Sequence, residues 1–226
     1  SEYLKGQRNN IRMISIENRN RLIFGIIYII LLLFGISYSS LSCSALFVFI
    51  GVTCLYEMWK LRKGKTKIIA ILYILIPFIL IQILIWNYLS FNVYDTENWN
   101  FRPILYLVIL TSVYDSFAYI VGVKFGKNKI MPSISPKKSW EGFFGGFVFT
   151  AFAAAYFFND DTTTFLFYSF LIPISATAGD FIESSFKRQA DVKDSGNLIP
   201  GHGGMLDRMD SLLISISIIS LLIFYT

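Results

Sequence analysis

Residues 68–86 read IIAILYILIPFILIQILIW, nineteen residues without one charge. A helix rises about 1.5 Å per residue, so this run matches the ~30 Å hydrocarbon core of a bilayer. In lipid, every backbone N–H and C=O must find a partner inside the protein, which leaves only helices or closed barrels. The run lacks the polar alternation of a barrel strand, and it predicts a transmembrane helix. Six further blocks read the same way, at about 22–38, 41–56, 103–122, 143–158, 165–183 and 209–225. The expected fold is all-α: one polytopic membrane domain over 1–226, a bundle of about seven transmembrane helices. Residues 1–102 supply the N-terminal helices, and 103–226 the half that carries the informative polar residues.

Composition agrees. The chain is 54% apolar, 17% aromatic and 15% charged, against about 25% charged in a soluble domain. A pI near 9.1 raises the question of nucleic acid, but the placement of the basic residues answers it differently. Of the 20 Lys and Arg, all but Arg102 fall up to Arg21 or within 57–67, 123–142 and 184–208, which are alternate connections. That is the positive-inside pattern, with a cytoplasmic N-terminus and an outside C-terminus, and it calls for a bilayer and no nucleic acid. The first block follows a basic leader, yet its core of about 17 residues is too long for a signal-peptide h-region, and no small-residue cleavage site follows. It reads as a retained helix, its leader a basic surface anchor. Cys43 and Cys54 lie on one predicted helix about 16 Å apart, too far for a disulfide. They are read as packing residues.

Acids inside apolar runs carry more information, because a carboxylate in hydrocarbon is costly and normally faces a cavity, a cation or the bundle interior. Asp115 falls in the fourth block, Asp180 near the end of the sixth, and Asp207 and Asp210 open the seventh, i and i+3 on one helix face. The topology drawn from the basic residues puts all four at the cytoplasmic side. Residues 184–210, SSFKRQADVKDSGNLIPGHGGMLDRMD, pack Lys187, Arg188, Lys193 and Arg208 beside Asp191, Asp194, Asp207 and Asp210. They also hold His202, the chain's only histidine, between glycines. Carboxylates among fixed cations are what a site needs to hold a divalent metal and polyphosphate together. The glycines here imply backbone approaching a ligand, with N–H groups free to cradle phosphate. Glycines 142, 145 and 146 instead read as close helix packing.

The order Ser184-x-Phe186-Lys187-Arg188, then Lys193-Asp194, Pro200-x-His202-Gly203-Gly204 and Asp207-Arg208-x-Asp210 resembles the C-terminal motif of the phosphatidate cytidylyltransferases (CDP-diacylglycerol synthases). Two shorter stretches are also similar to that family. One is Asp115-Ser116-Phe117-Ala118-Tyr119 with Gly122 and Phe125-Gly126-Lys127; the other is Ser135-Pro136-Lys137-Lys138-Ser139-x-Glu141-Gly142. The resemblance covers roughly 115–210. It implies a membrane enzyme, expected in a bacterial inner membrane with its site facing the cytoplasm and expected as a homodimer. The implied reaction takes CTP and phosphatidic acid to CDP-diacylglycerol and pyrophosphate. The implied catalytic set is Asp180, Lys187, Arg188, Lys193, Asp194, His202, Asp207, Arg208 and Asp210. Asp115, Lys127, Ser135, Lys137, Lys138, Ser139, Glu141, Gly203 and Gly204 are implied to bind substrate. Mg²⁺, one ion or a pair of cations, is expected on Asp180, Asp207 and Asp210. The rival readings are a CTP-dependent enzyme or kinase acting on another lipid, such as a polyprenol, and an ion-coupled transporter. A transporter would place its polar residues near the midplane with paired broken helices, and neither feature is seen.

Overall fold

The computed structural model describes residues 23–86, 99–198 and 203–225. Seven helices stand among them: α1 (Ile23–Tyr38), α2 (Ser40–Leu61), α3 (Ile68–Leu84), α4 (Arg102–Phe125), α5 (Trp140–Phe157), α6 (Thr162–Gln189) and α7 (Leu206–Tyr225). No strand joins them among the described residues, and the fold is that of an all-α membrane protein. Helices α2, α4 and α6 are long and apolar enough to cross a membrane, while α1 and α3 are apolar but shorter. The basic leader, most of the 87–102 connection and His202 with its neighbours Pro200 and Gly201 lie outside the described residues.

Polar caps fix where the helices begin. Ser39 and Ser42 satisfy each other's backbone N–H in a reciprocal capping box at the start of α2. Ser139 accepts from the Gly142 amide at the start of α5, and Asp161 accepts from the Thr163 and Thr164 amides at the start of α6. Helix α6 is 28 residues long, about 42 Å at 1.5 Å per residue, and overshoots a ~30 Å hydrocarbon core. Its last turns, with Glu183, Lys187 and Arg188, therefore leave the apolar run before the helix ends.

Helix α7 is the centre of the bundle. It packs on α2, α3, α4 and α6, and Leu206, Met209, Leu213, Ile216 and Ile219 are buried. Its serines face neighbours instead of lipid: Ser215 Oγ meets Ser175 Oγ of α6 at 2.7 Å. Small hydroxyl residues of this kind let membrane helices approach and bond across the interface. Large apolar side chains such as Ile30, Phe49, Val52, Ile79, Phe152 and Tyr156 lie on the outside, as a lipid-facing surface requires and a soluble one would not tolerate.

The α2–α3, α4–α5 and α6–α7 connections meet at one end of the bundle. Arg62 Nη1 donates to Gln189 Oε1 at 2.6 Å, Arg188 Nε donates to the Ile134 carbonyl, and Lys138 forms an ion pair with Asp180. These are three of the connections that carry the basic residues. The gathering of that charge on one side, expected from its alternation, is thus seen directly in the contacts.

Candidate active site

A cavity of about 640 Å³ opens at this end, between α4, α5, the 126–139 loop and the junction of α6 with α7. Asp115, Ala118, Tyr119, Gly122 and Val123 of α4 line one wall, at the i, i+3, i+4 spacing of one helix face. Ser135, Lys137, Lys138 and Ser139 come from the loop, and Thr177, Asp180, Asp207, Asp210 and Ser211 from the α6–α7 side. The acids foreseen in three different apolar runs are therefore brought to one place.

Close helix crossings hold the walls. A Cβ on Gly179 would lie 2.3 Å from the Asp210 carbonyl oxygen, so glycine lets α6 touch α7 where Asp180 and Asp210 come to share the cavity. Tyr73 of α3 locks the crossing by donating its hydroxyl to the Gly179 carbonyl at 3.0 Å. Across the cavity, a Cβ on Gly142 would meet the Ala118 carbonyl at 2.6 Å, and Tyr114 and Val121 fill the space over Gly146 and Gly145. The packing role expected for these three glycines is what the structure shows. Tyr114 and Thr177 join α4 to α6 through their hydroxyls.

The four acids do not share one fate. Asp180 is ion-paired with Lys138, whose ammonium also sits 5.3 Å from the Phe181 ring centre. Asp210 accepts from its neighbour's amide, Ser211 N, at 2.8 Å. Asp207 is enclosed by donors: Lys187 Nζ at 2.8 Å, Ser195 N at 2.9 Å, Ser195 Oγ at 3.0 Å and Gly204 N at 2.8 Å. It lines the same cavity as Asp180 and Asp210, with which it is expected to hold a metal. Its donors also tie Ser195 and Gly204 to the start of α7. The Gly204 amide, expected to face substrate, here donates to Asp207. A Cβ there would lie 2.2 Å from Ser195 Oγ. Gly203 does adopt a left-handed φ of 83°, a turn that glycine enters without strain.

The remaining expected residues divide between the cavity and its surroundings. Lys187 is buried and bridges Asp207 to Glu183, its Nζ 2.5 Å from Glu183 Oε2. Arg188 clamps loops, donating to the Val192 and Ile134 carbonyls. Ser139 caps α5, and Glu141 accepts from the Asn128 backbone and side chain at the loop's base. Asp194 lines a different cavity, of about 500 Å³, with Lys60, Lys63 and Lys65. Lys127, Lys193 and Arg208 are exposed. Two acids were missed. Glu57 of α2 is buried and accepts from Ser195 Oγ, Met205 N and Leu206 N. Glu183 is fully buried against Lys187. The signal for Glu183 was its place in Asp180-x-x-Glu183-Ser184-x-x-Lys187, the i, i+3, i+4, i+7 pattern of one helix face.

Among the described residues, no three His, Cys, Asp or Glu side chains stand close enough to hold a metal ion unaided. Asp115, Asp180 and Asp210 nonetheless face one cavity and offer hard oxygen ligands. That suits Mg²⁺, which keeps several waters and is usually held by one or two carboxylates together with substrate phosphates.

Comparison with known proteins bears on the same residues. The profile of the cytidylyltransferase family matches residues 68–226. The chain is 48% identical over 119 residues to a Thermotoga maritima protein named phosphatidate cytidylyltransferase, covering 47% of this chain and 44% of that protein. A Haemophilus influenzae protein of the same name is 42% identical over 132 residues, 54% of this chain and 46% of that protein. The chain thus spans about half the length of these curated relatives. A Rickettsia felis protein of that name aligns nearly end to end, 31% identical over 95% of this chain and 92% of its own length. With a family profile over more than half its length and a full-length relative beside it, this chain belongs to the cytidylyltransferase family.

Proposed function

We propose that the protein transfers the cytidylyl group of CTP to phosphatidic acid, giving CDP-diacylglycerol and pyrophosphate. The observation that carries this reading is the convergence of Asp115, Asp180 and Asp210 with Lys138 in a cavity at the charged end of a membrane bundle. One substrate is a lipid whose head group lies at the membrane surface, and the other is a soluble nucleotide, so the site has to sit at that boundary. The names of the relatives point the same way.

Transfer at phosphorus needs little covalent help from a protein; it needs alignment and charge neutralisation. A lipid phosphate oxygen attacks the α-phosphorus of CTP in line. The new P–O bond forms as the bond to the bridging oxygen of the β-phosphate breaks, and pyrophosphate leaves with that electron pair. The attacking phosphate is already ionised at neutral pH, so no general base is required. Asp180 and Asp210, with Asp115 beside them, would hold Mg²⁺, which when bound neutralises charge on the CTP phosphates. Lys138 is the cation nearest these acids; it offers its ammonium to a phosphate when Asp180 takes another partner. Lys187 acts through Asp207, whose place it fixes. Lys137 supplies positive potential at the rim. The protein belongs, on this reading, in a bacterial inner membrane with the cavity facing the cytoplasm, working as a homodimer.

The test uses CTP labelled in two positions. Purified protein with phosphatidic acid and Mg²⁺ is expected to move label from the α-phosphate into the organic phase and leave γ-label in water. Lipid-extractable γ-label would instead establish a CTP-dependent lipid kinase. Absence of both would refute the reading.

A further inference from the structure

Glu57 belongs to α2, outside the residues that the family profile matches, yet it reaches the α6–α7 connection. Its Oε1 accepts from Met205 N at 3.1 Å, and its Oε2 accepts from Leu206 N at 2.8 Å and lies 3.2 Å from Ser195 Oγ. The first N–H groups of a helix have no partner within it. Here a carboxylate from a different helix supplies the partner, on the end where the helix dipole favours negative charge. A Cβ on Gly204 would fall 2.5 Å from Glu57 Oε2, so the fit leaves no room for a side chain at that position.

We propose that Glu57 is a positioning residue for the reaction: it fixes the start of α7 and thereby sets where Asp207 and Asp210 stand. This rests on the function proposed above. The path is short, and at its centre two carboxylates share one hydroxyl proton. Glu57 and Asp207 flank the single hydroxyl of Ser195, whose own amide donates to Asp207. Asp207 in turn holds Lys187. Loss of the Glu57 carboxylate frees the Met205 and Leu206 amides and leaves the Ser195 hydroxyl to Asp207 alone. The first turn of α7 can then shift, and Asp210 shifts with it. Tenths of an ångström matter to in-line attack but not to substrate capture, so the effect falls on turnover.

The test combines hydrogen exchange with kinetics on the full chain. Glu57→Gln keeps only one side-chain acceptor oxygen, so one of the Met205 and Leu206 amides loses its partner and is expected to exchange at least about tenfold faster than in the unmodified protein. Its kcat is expected to fall about tenfold while KM for CTP and for the lipid stays within about twofold. Ser195→Ala removes only the bridging hydroxyl and is expected to lower kcat less, by about threefold. Unchanged exchange with unchanged kcat in both variants overturns the proposal. So does a raised KM at constant kcat, which would make Glu57 a substrate contact. If the unmodified protein transfers no cytidylyl group, the functional reading fails, and the exchange rates alone decide whether Glu57 fixes the helix start.

Discussion

Asp207 and Asp210 stand three residues apart at the start of α7, and their surroundings differ in kind. Around Asp207, Lys187, Ser195 and Gly204 supply four donor contacts at 3.0 Å or less. Around Asp210 are a cavity, one amide from its neighbour, and two further acids, Asp115 and Asp180, lining the same space. Both line the cavity, but Asp207 is tied in by its donors while Asp210 stands beside like charge. A buried carboxylate surrounded by donors organises a loop. Acids gathered in a cavity repel one another, and that repulsion is relieved when a cation enters. The same residue type, three positions apart on one helix, therefore stands in two different surroundings.

The comparison can be broken most sharply at the cavity. Asp210→Asn and Asp180→Asn are each expected to reduce kcat/KM at least about a hundredfold; melting temperature should change little in Asp210→Asn, whereas Asp180→Asn also weakens the hold on Lys138 of the 126–139 loop. Near-normal turnover in both at limiting Mg²⁺ would make these acids structural.

Asp207→Asn is expected to behave differently. Activity should fall by roughly tenfold, accompanied by a loss of heat stability, because Lys187 keeps only Glu183 as a charged partner and the Ser195 and Gly204 amides lose a charged acceptor. A melting curve recorded beside the kinetics separates this outcome from that of Asp210→Asn. Two of the four basic residues in the 126–139 loop extend the contrast. Lys138→Ala, which removes the partner of Asp180, is expected to lower kcat by about tenfold. Lys137→Ala, at an exposed position on the rim, should raise KM a few-fold, and added salt should erase the effect. A loss of kcat in Lys137→Ala at constant KM would move that lysine into the reacting centre.

Much of the fold could be read before the structure, because lipid imposes a simple demand: uncharged runs and alternating basic connections follow from it. The helix ends could not. An apolar run stops where hydrocarbon stops, but α2 continues to Leu61, α4 to Phe125 and α6 to Gln189. Those extra turns carry polar residues that hold the loops. Glu57 was passed over for that reason, since it fell just beyond the apolar block and read as part of a connection. The spacing of Asp207 and Asp210 placed both on one helix face, which is correct. The i, i+3 rule has no means of telling them apart, however. What separates them is a backbone amide at Ser195, 12 residues before Asp207, and another at Gly204, three residues before it. Three of the shared cavity's acids were recognised because each interrupts an apolar run, where a charge demands a reason.

We propose that the ion is held by Asp180 and Asp210, with Asp115 beside them, and not by Asp207, which lines the same cavity but is enclosed by donors. Mn²⁺ standing in for Mg²⁺ tests it directly, by paramagnetic titration in the presence of CTP with the unmodified protein, Asp210→Asn and Asp207→Asn. The account predicts at least about tenfold weaker Mn²⁺ binding in Asp210→Asn and a change of no more than about threefold in Asp207→Asn. Weak binding in Asp207→Asn with normal binding in Asp210→Asn would contradict it.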